Sequence, residues 1–433
     1  MHKKSLHKKI TASIAIGVIS LSIFHVVFSS NIQKSPVISN PFTKKVLYVG
    51  GHNSDYVRIS DAIVAAKEGE TVFVCSNPTP YYENIVIDKP IRVIGENKDT
   101  TIIDGNEKGD VIRITADGVC LSNFTVRNGG MKQDGLNDAA IEITSNNNII
   151  SNNICSSTNY GIWVRNSTKN TIINNRCIVK WDGIWLLNSG DNLLRNNSMI
   201  RCGLILDGIS LSDFIQDIDM SNTANKKPVC YYKNQKSVKT PSDAGQVILV
   251  NCENCVVSGL DISDVTDGIQ ILYSERNTIE NNKIVGTVDF GIRLVKSNYN
   301  TIANNICSGN SVGVGFKSGG DWIQVIEADC KHNIITKNSI LNNYYCGVLL
   351  DSSDQNVFSK NNFMGNGRSV LFQNSNRNKW RRNYWGDGFR GEHKLLAFMP
   401  KAVIGMNPSH LFKERTVPWI NFDLLPARKP YSI

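Results

Sequence analysis

Apolar residues in this chain alternate with polar ones over short runs, then give way to asparagine-rich turns. Ile162 and Val164 flank Trp163, and short apolar runs such as those at Ile154 and Ile172 stand in polar surroundings. A period of two over three to five residues means short strands with one apolar face. Such strands are too short to build a sheet from neighbours along the chain.

The runs repeat. Segments opening at Asn148, Asn170 and Asn192 are 22 residues apart, and the pattern returns at Asn254, Asn277, Asn300, Asn333, Asn356 and Asn378 with spacings of 23, 23, 33, 23 and 22. A Gly-Ile or Gly-Val mark keeps phase with it at Gly161, Gly183, Gly208, Gly268, Gly291, Gly313 and Gly347. A fixed period of this length marks a stacked array. Each strand then pairs with its counterpart one repeat later, about 4.8 Å away, in a parallel β-helix. The Asn-Asn pairs suit turns, because Asn tolerates the left-handed region, and stacked Asn side chains can bond along the axis. A leucine-rich solenoid lacks support: there is no Leu framework and no helical return. The two long gaps predict insertions near residues 213–246 and 318–329. The marks predict one buried stack through Ile162, Ile184, Ile209, Ile269 and Ile292.

Before the coils, Tyr56 to Lys67 reads as an amphipathic helix with Ile59, Ala62, Ile63 and Ala66 on one face, suited to covering an open coil end. Thr71 to Cys75 reads as a strand. The first coils follow at Ile91 to Ile94, Thr101 to Ile103, Val111 to Ile114 and Phe124 to Val126. At the other end, Lys394 to Gly405 is apolar with flanking lysines and reads as the second cap. Pro400 and Gly405 prevent one long helix there. Attraction to an anionic membrane is the competing reading of this tail, with Trp419 and Phe422 at the interface.

The N-terminus changes the picture of location. Lys3, Lys4, Lys8 and Lys9 precede an apolar run from Ile10 to Phe28, the pattern of a signal peptide or a retained membrane anchor over residues 1–30. Residues 31–45 read as a linker, 46–385 as the β-helix and 386–433 as a C-terminal cap or tail. The body is expected outside the cytoplasm, secreted, on the surface or anchored. No other run approaches membrane length, which excludes a polytopic membrane protein.

With 433 residues, 41% of them hydrophobic, the chain can bury a core. The net charge of +9 sits at the ends. Four charges are the N-terminal lysines, +7 lies from Asn376 onward, and the stretch between carries −2. That excludes a basic body for nucleic acid.

Several segments stand out beside the repeat: Leu47-Tyr-Val-Gly-Gly through Thr101-Ile-Ile-Asp-Gly, the Asn-Thr-Ile-x-Asn-Asn coils, Lys227-Pro-Val-Cys-Tyr-Tyr-Lys-Asn, Asn383-Tyr-Trp-Gly-Asp and Pro418-Trp-Ile-Asn-Phe-Asp. Through them the sequence resembles the NosD-like right-handed parallel β-helix family, also called carbohydrate-binding/sugar-hydrolysis (CASH) domains, with a pectin-lyase-like fold. The resemblance implies an all-β solenoid on a cell surface or in the periplasm. Its founding members assist copper-centre maturation of nitrous oxide reductase, and β-helix relatives cleave or epimerise polysaccharides. The fold alone does not choose among these.

Three functions follow as expectations. The first is carbohydrate binding. Alternation turns Trp163 and Trp185 outward one repeat apart, so their indoles should stack as an exposed sugar platform, with Tyr160, Trp181, Asp182, Arg165 and Arg293 beside them. The competing reading is a surface pair covered by the 213–246 insertion. The second is a polysaccharide lyase or epimerase, with calcium as a cofactor of such sites. Adjacent Asp-Asp, Gly-His-Gly, Arg-Ile-Lys and Asp-Pro-His signatures are missing from the chain. Asp182, Asp207 and Asp267 each precede a Gly-Ile mark and could stack, although Asp-Gly is also ordinary turn chemistry. An acidic cluster with a basic neighbour would favour the enzyme, a bare aromatic stripe the binding protein. The third is a copper-maturation accessory, with His393, Met399, Met406 and His410 as soft ligands. Cys155, Cys177 and Cys307 follow Asn-Asn pairs at an inward position and read as free core thiols. Cys252 and Cys255 form a lone C-x-x-C.

Overall fold

Three short strands and three turns make one coil, and the coils stack in parallel. The computed structural model describes residues 45–130, 138–317, 327–386, 400–408 and 416–433. They form a right-handed parallel β-helix of about 15 turns. In the first half, one face runs from Val46–Val49 through Thr71–Val74, Arg92–Gly95 and Cys120–Ser122 to Leu193–Arg195 and Asp217–Ile218. A second includes Ile154–Ser156 and Arg176–Ile178. The third runs through Ile112–Ile114, Ala139–Ile143, Tyr160–Arg165, Ile184–Leu187 and Leu204–Asp207. The pairings between successive coils are parallel and join equivalent residues, as Ile162 with Ile184.

The predicted helix is present at Ile59–Ala65, with Ile59, Ala62 and Ile63 buried. Its N-terminal amides are capped by Glu83, which accepts from Ile59 N at 2.8 Å and Ser60 N at 3.0 Å.

The asparagines divide into two jobs. The first of each pair makes the turn: Asn152, Asn174, Asn196, Asn281 and Asn304 all have φ between 53° and 57°. The second is buried and bonds along the axis. Asn153 donates from its backbone N (3.0 Å) and Nδ2 (3.1 Å) to Asn175 Oδ1, and Asn175 repeats this to Asn197 and Asn197 to Asn222. Each Nδ2 also reaches a carbonyl of the preceding coil, as Asn175 to Ile150 O at 2.8 Å. A ladder of the same kind runs through Asn282, Asn305, Asn338, Asn361 and Asn383.

That ladder ends on Asp423, which accepts from Asn383 N and Nδ2 and from Trp385 Nε1. Asp423 belongs to the antiparallel hairpin Lys401–Pro408 and Thr416–Asp423, which pairs with the last coils at Gln373 and Trp380. The C-terminal cap is therefore a hairpin. Residues 394–399 of the expected segment lie outside the described residues.

One predicted stack position is wrong. Ile209 is 55% exposed, and Leu204 takes its place opposite Ile184. The third coil is marked by Gly203-Leu204, so Gly208 is out of phase. The 213–246 insertion also starts later than expected, since Asp217–Ile218 and Thr223–Ala224 still stack on the preceding coil.

The cysteines are free, and Cys155, Cys177 and Cys307 are fully buried. Burial pushes the Cys307 thiol up to about 12. Cys155 and Cys177 face each other in register.

Two substitutions test this architecture. Ile184→Asp places an unpaired charge in the core and is expected to unfold the array in a thermal melt. Asn175→Ala orphans Asn153 N and the Ile150 carbonyl, so denaturant titration should show a loss of about 3 kcal/mol. A loss below about 0.5 kcal/mol would remove the ladder from the account of stability.

Candidate functional site

The regular stacking breaks at Leu204–Asp207. This strand pairs with Ile184–Leu187 on one side. Its other edge meets side chains. Gln246 takes Leu204 N (3.0 Å) and bonds Leu204 O (2.9 Å). Gln270 also bonds Leu204 O (2.7 Å) and accepts from Leu206 N (3.3 Å), and Arg293 Nη2 bonds Leu206 O (2.6 Å). Thr266 Oγ1 accepts from Gly203 N and donates to Trp181 O. The coils restart from Lys227–Lys233, which pairs with Gln246–Val250, and continue through Ile269–Leu272 and Phe290–Val295. Gln270 and Arg293 occupy outward positions of these strands, in register with each other. They are buried because the edge of the upper half rests on them.

At this joint the carboxylates converge. Arg293, 1% exposed, pairs with Asp207 at 2.6 Å and with Asp267 at 3.3 Å. Asp267 also accepts from Phe290 N at 3.0 Å, and Asp207 from Trp185 Nε1 at 2.9 Å. Asp182 and Asp289 complete the cluster and are only half-buried. Burial pushes the Asp182 carboxyl well above the usual carboxylate range, helped by Asp289, Asp267 and Asp207. Burial lifts Asp267 to about 8 against the pull of Arg293. Burial also lifts Asp289, to about 6, with Arg293 again opposing. Desolvation and like charge both disfavour ionisation here, so one cation serves several carboxyls. Buried Asp267 Oδ2, Arg293 Nε and Trp163 Nε1 have no hydrogen-bond partner among the described residues.

The tryptophan expectation divides. Trp163 and Trp185 do stack in register, with centroids 4.9 Å apart and planes 7° from parallel. They are not an exposed platform: Trp163 is 4% and Trp185 5% exposed. They point out of the coil but pack with Tyr160, Leu187 and Ile205 in a second apolar cluster. Arg165 lies over Trp163 at 4.7 Å and pairs with Glu142 at 2.6 Å. Tyr160 is buried too, 5.1 Å from Trp185. Trp181 is the aromatic that stays half-buried, edge-on to Tyr160 and next to Asp182.

Of the aspartates singled out in sequence, Asp182, Asp207 and Asp267 meet, but not by stacking of equivalent turns. Asp207 sits at the far end of its strand, opposite Leu187. Arg293 joins them and Arg165 does not. Asp289 was missed, although it stands 22 residues after Asp267, one repeat. Gln246 and Gln270 carry no sequence signal beyond being polar at sheet positions.

Residues 203–388 match the family described as periplasmic copper-binding protein (NosD), and residues 91–225 match the right-handed β-helix region. Over residues 203–388 the chain is similar to NosD, and its fold is a right-handed parallel β-helix. No curated protein sequence matches it. Among solved structures it is similar to the A-module of a mannuronan C-5 epimerase of Azotobacter vinelandii, at 15% identity and a TM-score of 0.34, covering 74% of this chain and 93% of that one. It is also similar to the catalytic domain of an α-1,3-glucanase in complex with nigerose, at 14% identity and a TM-score of 0.37, covering 78% and 67%. An alginate lyase shares 13% identity at a TM-score of 0.36, covering 84% and 90%. These likenesses concern the fold alone.

Among the described residues, no group of three or more His, Cys, Asp or Glu could hold a metal ion. His332 stacks on Tyr299, and burial holds the Cys307 and Cys330 thiols protonated. His393, Met399 and His410 lie outside the described residues, and so does the side chain of Met406. Among the described residues, no helix is long and apolar enough to cross a membrane.

The raised carboxyls make stability depend on pH. Asp267 binds its proton more tightly in the folded chain, at about 8, than in the unfolded chain, at about 3.9. The folded state then holds more protons between these values, so stability falls as pH rises through that window. The melting temperature is expected to be higher at pH 5 than at pH 8, and Asp267→Asn should flatten the difference. An unchanged slope in that variant would contradict the assignment.

Proposed function

We propose that this protein is an extracytoplasmic glycan-processing enzyme that hydrolyses neutral polysaccharide at the joint of its two coil stacks. The observation that carries the reading is the pair Asp182 and Asp289, half-buried at an Arg293-centred carboxylate cluster, with affinities for protons pushed apart. Burial pushes the Asp182 carboxyl toward its protonated form, in which it can donate to a glycosidic oxygen. Asp289, at about 6, is mostly ionised at neutral pH and can act as base or nucleophile. Two carboxyls in these two states are what glycoside hydrolysis requires.

Burial of Arg293 argues against a lyase or epimerase. Those reactions act on uronates, whose carboxylate needs a cation. Arg293 is already committed to Leu206 O, Asp207 and Asp267. The cluster would repel an acidic sugar and accepts a neutral one. Half-buried Trp181 supplies an apolar face for a sugar ring beside Asp182. Trp163 and Trp185 support Asp207 from behind through the Trp185 Nε1 bond.

The test measures reducing ends released from a panel of neutral and acidic polysaccharides. Asp182→Asn and Asp289→Asn should each lower kcat by at least a hundredfold while the melting curve stays cooperative. Activity should fall about tenfold per pH unit below about 6, as Asp289 takes up its proton. Trp181→Ala should raise KM more than it lowers kcat. Binding of a glycan without turnover would reduce the reading to carbohydrate recognition, and turnover restricted to uronates would favour the lyase.

A further inference from the structure

Far from the carboxylates, at the C-terminal end of the solenoid, a groove of about 620 Å³ opens between the last coils and the strand Thr416–Asp423. Trp380 lines it, together with the exposed side chains of Phe422, Leu424 and Leu425. Lys360, Lys379, Arg381 and Arg382 line it as well, all exposed. These four take part in none of the ion pairs found among the described residues.

The charge of this end is one-sided. Residues 357–386, 400–408 and 416–433 hold nine Lys or Arg and one acidic residue, Asp423. Asp423 is fully buried and spent on the amides of Arg382 and Asn383. It therefore offsets little of the surface field. Exposed Ile404 and Ile420 widen the apolar area around the groove. Large aliphatic and aromatic side chains standing in water, beside unpaired cations, are costly for a free surface. The combination matches an anionic bilayer, where apolar tips enter the headgroup layer and Lys and Arg meet lipid phosphates.

We infer that this end of the solenoid docks on an anionic membrane surface, with Phe422, Leu424 and Leu425 as the inserted side chains and Lys360, Lys379, Arg381 and Arg382 as the phosphate contacts. The solenoid then stands with one end on the lipid, and the carboxylate joint lies away from it along the axis. The inference is independent of the hydrolase reading.

The apolar N-terminal run would confound a lipid assay, so the test uses residues 44–433. That stretch is one compact unit whose main core cluster draws on residues 47–403 of itself. Co-sedimentation is measured with vesicles of phosphatidylglycerol and phosphatidylcholine, and with phosphatidylcholine alone. The expected result is binding to the anionic vesicles that weakens with salt, and at least tenfold weaker partition to the neutral ones. K360E/K379E/R381E/R382E together should lower the anionic partition more than tenfold. Leu424→Asp with Leu425→Asp should do likewise, and both variants should keep the parent melting curve. Equal partition to both vesicles, no binding to either, or unchanged binding in the charge-reversed variant would overturn the inference. So would a dimer of residues 44–433 in sedimentation that Leu424→Asp dissociates, since the groove would then be a contact between copies.

Discussion

The strands of the regular coils are too short to have a partner along the chain, so their backbone groups are satisfied one coil later. That constraint sets the repeat length, because a coil must return each residue to its own column. It also explains the asparagines. A coil turns three times, and each turn leaves amides that no strand can serve. An Asn at the corner answers with its side chain, whose Oδ1 accepts from an amide of the preceding coil while its Nδ2 donates to a carbonyl there. The ladder thus holds register where the strands are interrupted. Its termini need a different residue, since the last Asn has no coil below it. Asp423 suits that place: a carboxylate only accepts, and it faces Asn383 N, Asn383 Nδ2 and Trp385 Nε1, which only donate.

The same constraint accounts for the candidate site. Leu204–Asp207 has one paired edge, and the chain then leaves the stack. Its free edge cannot remain unsatisfied inside the protein. Gln246, Gln270 and Arg293 satisfy it from the side, with the spacing of a ladder. A guanidinium used in this way is buried, and a buried cation needs counter-charge. Asp207 supplies it at 2.6 Å. The further carboxyls beside it, Asp267 at 3.3 Å among them, exceed what one cation can hold ionised, which raises their affinity for protons. The perturbed acids follow from the way the solenoid repairs its break.

The periodic part of this structure was legible in the sequence. The 22-residue spacing gave the coils, and the apolar alternation gave the inward residues and the core thiols. The stacking of Trp163 on Trp185 followed as well, because both lie in phase. Legibility failed where phase failed. Gly208-Ile209 mimics the repeat mark, yet the coil uses Gly203-Leu204, and a five-residue offset sends Ile209 into solvent and Asp207 into the cluster. Outward position was mistaken for exposure at Trp163 and Trp185. Alternation tells which way a side chain leaves its own strand. It does not tell what lies outside, and here Tyr160, Leu187 and Ile205 enclose both rings. Asp289 carried a signal, its 22-residue distance from Asp267, that only gains meaning once Arg293 is known to be buried beside Asp267.

The two surfaces of opposite character also follow from the solenoid. A stacked array has ends and a side, and each coil contacts only its neighbours. Charge placed at one end is therefore not neutralised by residues many coils away. The excess cations after Ser359 stay at the C-terminal end, and the acidic joint stays in the middle, with its single buried guanidinium. A globular core would bring such groups within a screening length and couple them. Here the fold keeps the acid chemistry and the basic apolar groove in separate coils, so each can be changed by mutation without altering the other's charge environment.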